Sequence, residues 1–319
     1  MEQTVTDPRV NVAYAVCRGI ARREARNFYY SFLALPRAKR NALSAVYAFM
    51  RHADDLSDDQ TRSVEERKLR LGSWLAEWHR VQEGTASDDP VFVALSDAQK
   101  RFKISPELLD QLVQGTSMDL EAASPKIASN RQANGGIATL PAIRVHQTFD
   151  ELYRYCYLVA SVVGLVCISI YGYEDRRAED LAERCGVAFQ LTNIIRDVKE
   201  DASLGRVYFP EEDLAKFSLS DEDFLNDRGQ RLDPERLRAL LAFEAERARE
   251  YYKSAAELIP LIHRDSRTAL WVMVAIYSRL LEKIAKSDYD VLRRRVRLSA
   301  AEKVAILGRG LVKSIFRTV

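Results

Sequence analysis

Turn-forming residues are scarce in this sequence, since only 13 glycines and 9 prolines occur among 319 residues. Such a composition is typical of a mostly helical chain with few turns. An excess of one charge is also missing, because 48 lysines and arginines against 46 aspartates and glutamates leave a net charge of +2. Without a basic excess, the sequence gives no support to nucleic-acid binding. A hydrophobic share of 47 % excludes a disordered chain.

Long hydrophobic runs are absent as well. The longest one, Leu158 to Tyr171, contains Ser161 and Gly164 and is shorter than the ~20 residues that span a bilayer. The polar first ten residues lack the apolar stretch of a secretory signal. None of the four cysteines stands in a CxxC motif, which is typical of buried thiols in a reducing compartment. We therefore expect a cytoplasmic protein without a transmembrane span, and peripheral contact with a membrane stays open.

What the sequence does contain is apolar residues at helical spacing along most of its length. Two helix starts carry a capping residue followed by proline and glutamate, at Ser105-Pro106-Glu107 and Asp233-Pro234-Glu235. We predict helices over residues 8–53 with a break near Pro36, 64–82, 105–120, 149–171, 178–201, from 233 onward, 266–286 and 299–316. The chain is therefore interpreted as one all-α domain over residues 1–319, with 122–147 as a loop insertion.

Two acidic clusters stand at the ends of two predicted helices. The first cluster runs from Arg51 to Asp59 and the second from Gln190 to Asp201. At about 100° per residue, each cluster contributes to a polar stripe that stays within one arc, of roughly 60° and 80° respectively. The stripes consist of Tyr47, Arg51, Asp54 and Asp58 on the first helix, and of Gln190, Asn193, Asp197 and Asp201 on the second. Apolar residues border the second stripe, so its acids lie beside the core-facing side.

Like charges at this spacing destabilise a helix by a few tenths of a kcal/mol per pair, so something should offset the repulsion. A divalent cation does so with oxygen ligands, and Mg²⁺ takes one or two carboxylates, keeps waters and binds substrate phosphate. Arg51, Arg196 and Arg206 are then placed to pair with phosphate oxygens. The pattern predicts two acidic walls that face each other across a Mg²⁺–phosphate site. The alternative for each cluster alone is an ordinary solvated helix end.

These motifs resemble those of the squalene/phytoene synthase family. The resemblance rests on residues 47–58 and 190–201, and on Gly205-Arg206-Val-Tyr208-Phe-Pro210 after the second motif. Residues 155–164 resemble the central helix of the family, and residues 27–36 resemble its first substrate-lining segment. The resemblance implies an isoprenoid-synthase-type helical bundle around a deep apolar cavity.

The function implied by this resemblance is a Mg²⁺-dependent head-to-head (1'-1) condensation of two prenyl diphosphates, with Mn²⁺ as an alternative metal. The main expectation is two farnesyl diphosphates joined to presqualene diphosphate or squalene. The alternative within the family is a phytoene synthase that uses two geranylgeranyl diphosphates. Two alternatives from other classes are a terpene cyclase and a non-catalytic helical scaffold. The need for NADPH and the oligomeric state stay open.

The resemblance also implies roles for individual residues. The metal ligands it implies are Asp54, Asp58, Asn193, Asp197 and Asp201, and the four aspartates with Tyr155 are its catalytic residues. The substrate-binding residues it implies are Phe28, Tyr47, Arg51, Gln190, Asn193, Arg196, Arg206, Tyr277 and Arg295. The small residues Ala160, Ser161 and Gly164 leave room for a prenyl tail or serve close helix packing. The four histidines and the pair Asp88-Asp89 are interpreted as surface residues.

Overall fold

The computed structural model describes residues 7–25, 27–122, 146–225 and 232–316, and its regular structure is helical. In chain order the helices are α1 (Pro8–Glu24), α2 (Phe28–Phe32), α3 (Arg37–Ser57), α4 (Val64–Gln82), α5 (Pro90–Phe102), α6 (Pro106–Ala122), α7 (Phe149–Cys156), α8 (Val162–Tyr171), α9 (Arg177–Ser203), α10 (Glu211–Lys216), α11 (Asp221–Leu225), α12 (Pro234–Leu261), α13 (Arg264–Lys286) and α14 (Ala300–Ile315). Apart from the helices, this part of the chain has one isolated antiparallel bridge, between Tyr173 and Ile262. The all-α prediction is confirmed. The expected insertion at 122–147 falls on 123–145, which lie outside the described residues.

Local capping explains where several helices begin. The prolines predicted to open helices stand at the first positions of α6 and α12, and Asp233 accepts a hydrogen bond from the Glu235 amide at 2.9 Å. The same signal opens α5, where Asp89 accepts from the Val91 amide at 2.7 Å before Pro90. Helix α5 was not predicted from the sequence, because Asp89 was interpreted as a surface carboxylate. Asp89 is instead the cap of α5.

The break predicted near Pro36 is present, but the chain leaves the helix twice in this region. Helix α1 ends at Glu24, and the short helix α2 precedes Pro36, after which α3 begins. The first half of the predicted helix is therefore divided between α1 and α2. This arrangement turns Phe28 inward, where it packs against the two apolar clusters that the described residues form.

Two apolar clusters form the core, and helix α9 contributes to both of them. The first cluster contains the largest buried side chains of α3, α4 and α5, namely Phe49, Trp78 and Phe92. The second lies between α7, α9, α12 and α13. Phe28 and Phe189 pack against both, so the space between the clusters is lined from both sides.

Helices α7 and α8 form one continuous apolar element of 23 residues, because a π-helical turn, Tyr157–Ser161, joins them. This element is long and apolar enough to cross a membrane, so the length argument from the sequence, which counted from Leu158, is wrong. The element packs closely between helices instead. A Cβ at Gly115 of α6 would lie 2.6 Å from the Leu158 carbonyl oxygen, and a Cβ at Gly186 of α9 would lie 2.5 Å from Ser161 Cα. Glycine at both positions therefore allows α6 and α9 to contact the backbone of the turn.

Candidate active site

A cavity of about 890 Å³ lies between α3, α8, α9 and α13. Two helices line it with residues three or four positions apart, as one face of a helix requires. The lining residues of α3 are Leu43, Val46, Tyr47, Met50 and Asp54. Those of α9 are Ala182, Cys185, Gly186, Phe189, Gln190, Asn193 and Arg196. Along both helices the lining changes from apolar at the amino-terminal end to polar at the carboxyl-terminal end.

The apolar end of this cavity is fixed by contacts between three helices. Lys39 Nζ at the start of α3 donates to the Tyr171 carbonyl oxygen at 2.7 Å and to Ser266 Oγ of α13 at 2.9 Å. The neighbouring residues Leu43, Ile168 and Leu270 line the cavity. This end therefore offers aliphatic and aromatic surface to the tail of an amphipathic ligand.

Aromatic rings connect the walls at the middle of the cavity. The ring centroid of Phe28 lies 6.5 Å from that of Tyr47 and 6.1 Å from that of Tyr277. Tyr277 in turn stacks on Phe189 at 4.6 Å. These rings place π-faces beside the polar end, where a cationic ligand would be stabilised.

A second cavity, of about 520 Å³, shares four lining residues with the first one, namely Met50, Asp54, Val159 and Val163. Its polar lining includes Asp58, Arg67, Tyr155 and Arg206. Asp54 thus borders both cavities from the last turns of α3. Two ligands with tails in separate cavities could place their head groups near the same carboxylate.

Asp54 is the most electrostatically perturbed carboxyl of this site. Its burial raises its pKa to about 6, and the nearby charge of Asp58 acts in the same direction. Thr116 Oγ1 donates a hydrogen bond to Asp54 Oδ1 at 3.1 Å and, with Arg51, opposes the rise. A partly desolvated carboxylate beside a second acid gains stability when a cation binds.

The second acidic wall is paired with arginine. Arg196 donates from Nε to Asp197 Oδ1 at 2.7 Å and from Nη2 to Oδ2, and Arg295 Nη2 lies 2.7 Å from Asp197 Oδ1. Burial alone would lower the pKa of Arg196, but its hydrogen bonds to Asp197 together with the charges of Asp197 and Asp201 outweigh burial and raise that pKa. Arg196 and Arg295 line the first cavity, so two guanidinium groups border its polar end.

The donor set fits a hard divalent cation bound together with phosphate. In the part of the chain that the structure describes, no three Asp, Glu, His or Cys side chains are gathered as a metal cluster. Mg²⁺ does not require such a cluster, because waters and substrate phosphate complete its shell. Asn193 Oδ1 is buried, has no hydrogen-bond partner and belongs to a residue of the cavity wall. This unpartnered carbonyl oxygen is available to coordinate a cation that binds between Asn193 and the carboxylates.

The sequence profile of the squalene/phytoene synthase family matches residues 21–302. The chain belongs to this family. A phytoene synthase from Mycobacterium bovis is 35 % identical over 307 residues, which are 96 % of this chain and 93 % of the relative. A 15-cis-phytoene synthase from Synechococcus elongatus is 33 % identical and covers 92 % of this chain and 91 % of its own length. A dehydrosqualene synthase solved with a ligand superposes with a TM-score of 0.79 at 28 % identity, over 97 % of this chain and 98 % of that one.

Members of the squalene/phytoene synthase family are prenyltransferases, and the chain is therefore a transferase that acts on prenyl diphosphates. The expected resemblance and the all-α fold are confirmed by these matches. Head-to-head condensation of two prenyl diphosphates is the chemistry that the family supports.

The structure distributes the predicted site residues over the two cavities of this prenyltransferase. The first cavity is lined by Phe28, Tyr47, Asp54, Gln190, Asn193, Arg196, Tyr277 and Arg295. The second is lined by Asp54, Asp58, Tyr155 and Arg206. Three predicted residues line neither cavity, namely Arg51, Asp197 and Asp201. Arg51 pairs with Asp55 one turn along α3, while Asp197 acts on the first cavity through Arg196 and Arg295.

Sequence reasoning missed Arg67 and Thr116. Arg67 of α4 lines the second cavity, and its Nη1 donates to the Ser57 carbonyl oxygen at 2.9 Å, at the end of α3. No motif marked either residue. Arg67 is one of many charged residues on α4, and Thr116 lies on α6, outside both acidic clusters. Their contribution follows from how α4 and α6 pack beside the end of α3.

The prediction that all four histidines lie on the surface is wrong for His146. His146 is buried, and its ring lies 5.5 Å from that of Tyr155. Tyr155 also stacks on Tyr208 at 5.0 Å, and Tyr208 follows Arg206 in the motif. These contacts hold Tyr155 and the loop of Arg206 together at the second cavity. The small residue Ser161 serves close packing, because its hydroxyl donates to the Glu183 carbonyl oxygen at 2.7 Å.

Proposed function

We propose that this enzyme joins two geranylgeranyl diphosphates head to head, through prephytoene diphosphate, to phytoene. The support is that two relatives matching more than nine-tenths of the chain are named phytoene synthases. The main sequence expectation, farnesyl diphosphate, becomes the second candidate, which the likeness to a dehydrosqualene synthase favours. The observation that carries the reaction class is the pair of cavities sharing Asp54, one of which changes from apolar to polar along its length.

The proposed chemistry has two stages that balance without a reductant. In the first, the C1–O bond of one substrate breaks, diphosphate leaves, and the C2–C3 double bond of the other substrate attacks the allylic cation. Loss of one proton then closes a cyclopropane. In the second, the C–O bond of the resulting cyclopropylcarbinyl diphosphate breaks, the second diphosphate leaves, the carbon skeleton rearranges, and loss of another proton gives the triene. NADPH is required only for a squalene-type product, whose last step adds a hydride.

In this proposal, the charged and polar residues bind the metal and the diphosphate groups. When bound, Mg²⁺ or Mn²⁺ supplies positive charge that stabilises the departing diphosphate. The residues proposed to hold the metal are Asp54, Asp58, Asn193, Asp197 and Asp201. Arg196 and Arg295 donate hydrogen bonds to diphosphate oxygens at the polar end of the first cavity, and Arg206 does so in the second.

The aromatic residues protect and stabilise the cation in this proposal. Phe28, Tyr47, Phe189 and Tyr277 present ring faces at the middle of the first cavity and exclude water from the cation. Tyr155 lines the second cavity with its hydroxyl-bearing ring fixed by Tyr208, in a position to orient the second substrate. We further propose that the enzyme acts in the cytoplasm at a membrane surface, because the hydrocarbon product is insoluble in water.

The experiment is a product analysis with purified protein. We expect geranylgeranyl diphosphate and Mg²⁺ to yield phytoene without NADPH, and EDTA to stop turnover. Farnesyl diphosphate serves as the competing substrate, with and without NADPH. A higher kcat/KM for farnesyl diphosphate would replace the proposal with the second candidate. Absence of any 1'-1 product from both substrates would refute the reaction class.

A further inference from the structure

Helix α14 carries apolar side chains on its solvent-exposed face as well as on the face that packs against the protein. Its inner face packs on α13 through Ile306 and Gly310, where an added Cβ would lie 2.9 Å from Val272 Cγ2. At about 100° per residue, the outward arc of the helix holds no charged residue from position 300 to 315. The large apolar side chains on that arc are exposed, namely Val304 (57 %), Leu311 (45 %), Val312 (52 %) and Ile315 (76 %). These four residues are termed the α14 face.

Basic residues surround the α14 face. Residues 293–313 contain seven lysines and arginines and a single glutamate, although the whole chain carries a net charge of only +2. Arg293, Arg294 and Arg297 are exposed in the segment before the helix. An apolar helix face bordered by cations is the pattern of an element that lies in a lipid–water interface.

The α14 face also lies beside the mouth of the first cavity. Ala300 and Lys303, in the first turn of α14, line that cavity together with Arg297. The exposed Arg22 and Arg23 at the end of α1 line it as well. The cavity that offers apolar surface to a prenyl tail therefore opens next to the exposed apolar helix and its cations.

We propose that the α14 face, with the exposed Arg293, Arg294 and Arg297, docks on an anionic lipid bilayer and brings the cavity mouth to the membrane. The charge distribution favours lipid over a second copy of this chain. A two-fold interface through α14 would bring the same basic segment of each copy together, and like charges would repel. Anionic lipid headgroups neutralise that segment, while the acyl region receives the apolar side chains. The proposal holds for either prenyl substrate, since docking requires no ligand.

Vesicle flotation without substrate tests the docking surface. The vesicles are phosphatidylcholine alone, and phosphatidylcholine mixed with phosphatidylglycerol in a ratio of roughly two to one. We expect the wild-type protein to float with the mixed vesicles and to be released as salt rises. The double variant Leu311→Glu/Ile315→Glu should lower the partition coefficient at least about tenfold. Leu69→Glu on α4 is the control, because Leu69 (72 %) is about as exposed as Ile315 (76 %) but lies on another helix, and its substitution should leave binding unchanged.

A second variant keeps the proposal testable if the glutamates disturb folding. Arg293→Gln/Arg294→Gln should weaken binding to the mixed vesicles and reduce its salt dependence, without touching the helix. Turnover of detergent-dispersed substrate should be the same in the wild type, both α14-region variants and the control. Sedimentation velocity then measures self-association of the same proteins.

Three outcomes overturn the proposal. Wild-type protein that stays unbound with both kinds of vesicle contradicts docking. A folded Leu311→Glu/Ile315→Glu variant that floats like the wild type assigns binding to another surface. A wild-type dimer that this variant dissociates, with vesicle binding unchanged, makes the α14 face an interface between two copies.

Discussion

Thr116 Oγ1 on α6 donates a hydrogen bond to Asp54 Oδ1 on α3, and this contact joins two helices at the carboxyl that borders both cavities. Thr116→Val removes the donor and leaves a desolvated carboxylate oxygen without its partner. We expect kcat/KM to fall about 5- to 10-fold, because this factor corresponds to the loss of one hydrogen bond of about 1 kcal/mol. Thr116→Ser retains the hydroxyl and should keep most of the activity. Equal losses in both variants would show that the methyl group, not the hydrogen bond, matters.

Substitution of Asp54 should separate activity from stability. Asp54→Asn removes a charge that burial already disfavours, so the free energy of unfolding should stay the same or rise by about 1 kcal/mol. Turnover should be lost, because the carboxylate common to both cavities is gone. Urea unfolding and a product assay measure the two effects. Near-normal turnover of this variant would contradict the proposed role of Asp54 in metal binding.

Asp197→Asn should behave differently, although both residues belong to acidic motifs. Asp197 is the carboxylate partner of Arg196 and Arg295, and its side chain is 15 % exposed. Neutralising it leaves two guanidinium groups without their charge partner, so the free energy of unfolding should fall by about 1–3 kcal/mol along with activity. Asp175→Asn is the control, since Asp175 pairs with the exposed Arg177 and its substitution should change stability much less than Asp197→Asn does.

Filling the apolar end of the first cavity should change substrate length preference. Cys167 lines that end, beside Ile168 and Tyr171. Cys167→Phe should lower kcat/KM for geranylgeranyl diphosphate more than about tenfold and spare farnesyl diphosphate, because the longer tail loses apolar contact worth ~0.8 kcal/mol per CH₂. Cys167→Ala keeps the space open and should leave the preference of the wild type. An equal loss for both substrates would place the prenyl tail elsewhere.

A buried charge cluster away from the cavities should give stability a pH dependence. Arg247 Nη1 donates to Glu244 Oε1 at 2.9 Å and to Asp213 Oδ2 at 2.7 Å, and both carboxyls are almost fully buried. Burial raises the pKa of Glu244 from 4.5 to about 7. Between these values the folded protein binds a proton that the unfolded chain releases. The contribution of Glu244 to stability is therefore largest below pH 4.5 and is lost as the pH rises through about 7.

The variant Glu244→Gln tests this pH dependence. Glutamine keeps an oxygen acceptor for Arg247 but does not titrate. The decrease in the free energy of unfolding between pH 4.5 and 7 should therefore be smaller in the variant, by on the order of 1 kcal/mol. Urea unfolding of both proteins across that range measures the slope. Identical slopes would mean that Glu244 is ionised in the folded protein throughout the range.

The helices could be predicted because their signals are local. Pro106 and Pro234 open helices where the sequence placed them, and helix α4 has the predicted bounds of 64–82. The missed helix α5 carries the same aspartate–proline signal, which was assigned to the surface because its charge was considered before its capping function. The sequence therefore contained the signal for α5, and the error lay in the interpretation of Asp89.

The candidate site could be predicted along each helix but not between helices. Helical spacing places Asp54 on one stripe and Asn193 on another, and both line the first cavity. The contact of Arg295 with Asp197 and the approach of Thr116 to Asp54 join residues far apart in sequence. Such contacts depend on how helices pack, which no local pattern encodes. Cavity length depends on the same packing, and therefore the sequence left the choice between farnesyl and geranylgeranyl chains open.

The unequal volumes of the two cavities have a consequence for a reaction between identical molecules. Free in water, the two prenyl diphosphates are interchangeable, and nothing determines which one ionises. In the proposed mode of binding, each substrate occupies its own cavity, with one head group near Arg196 and Arg295 and the other near Arg67 and Arg206. The protein itself thereby breaks the symmetry of the pair and assigns electrophile and nucleophile before any bond changes.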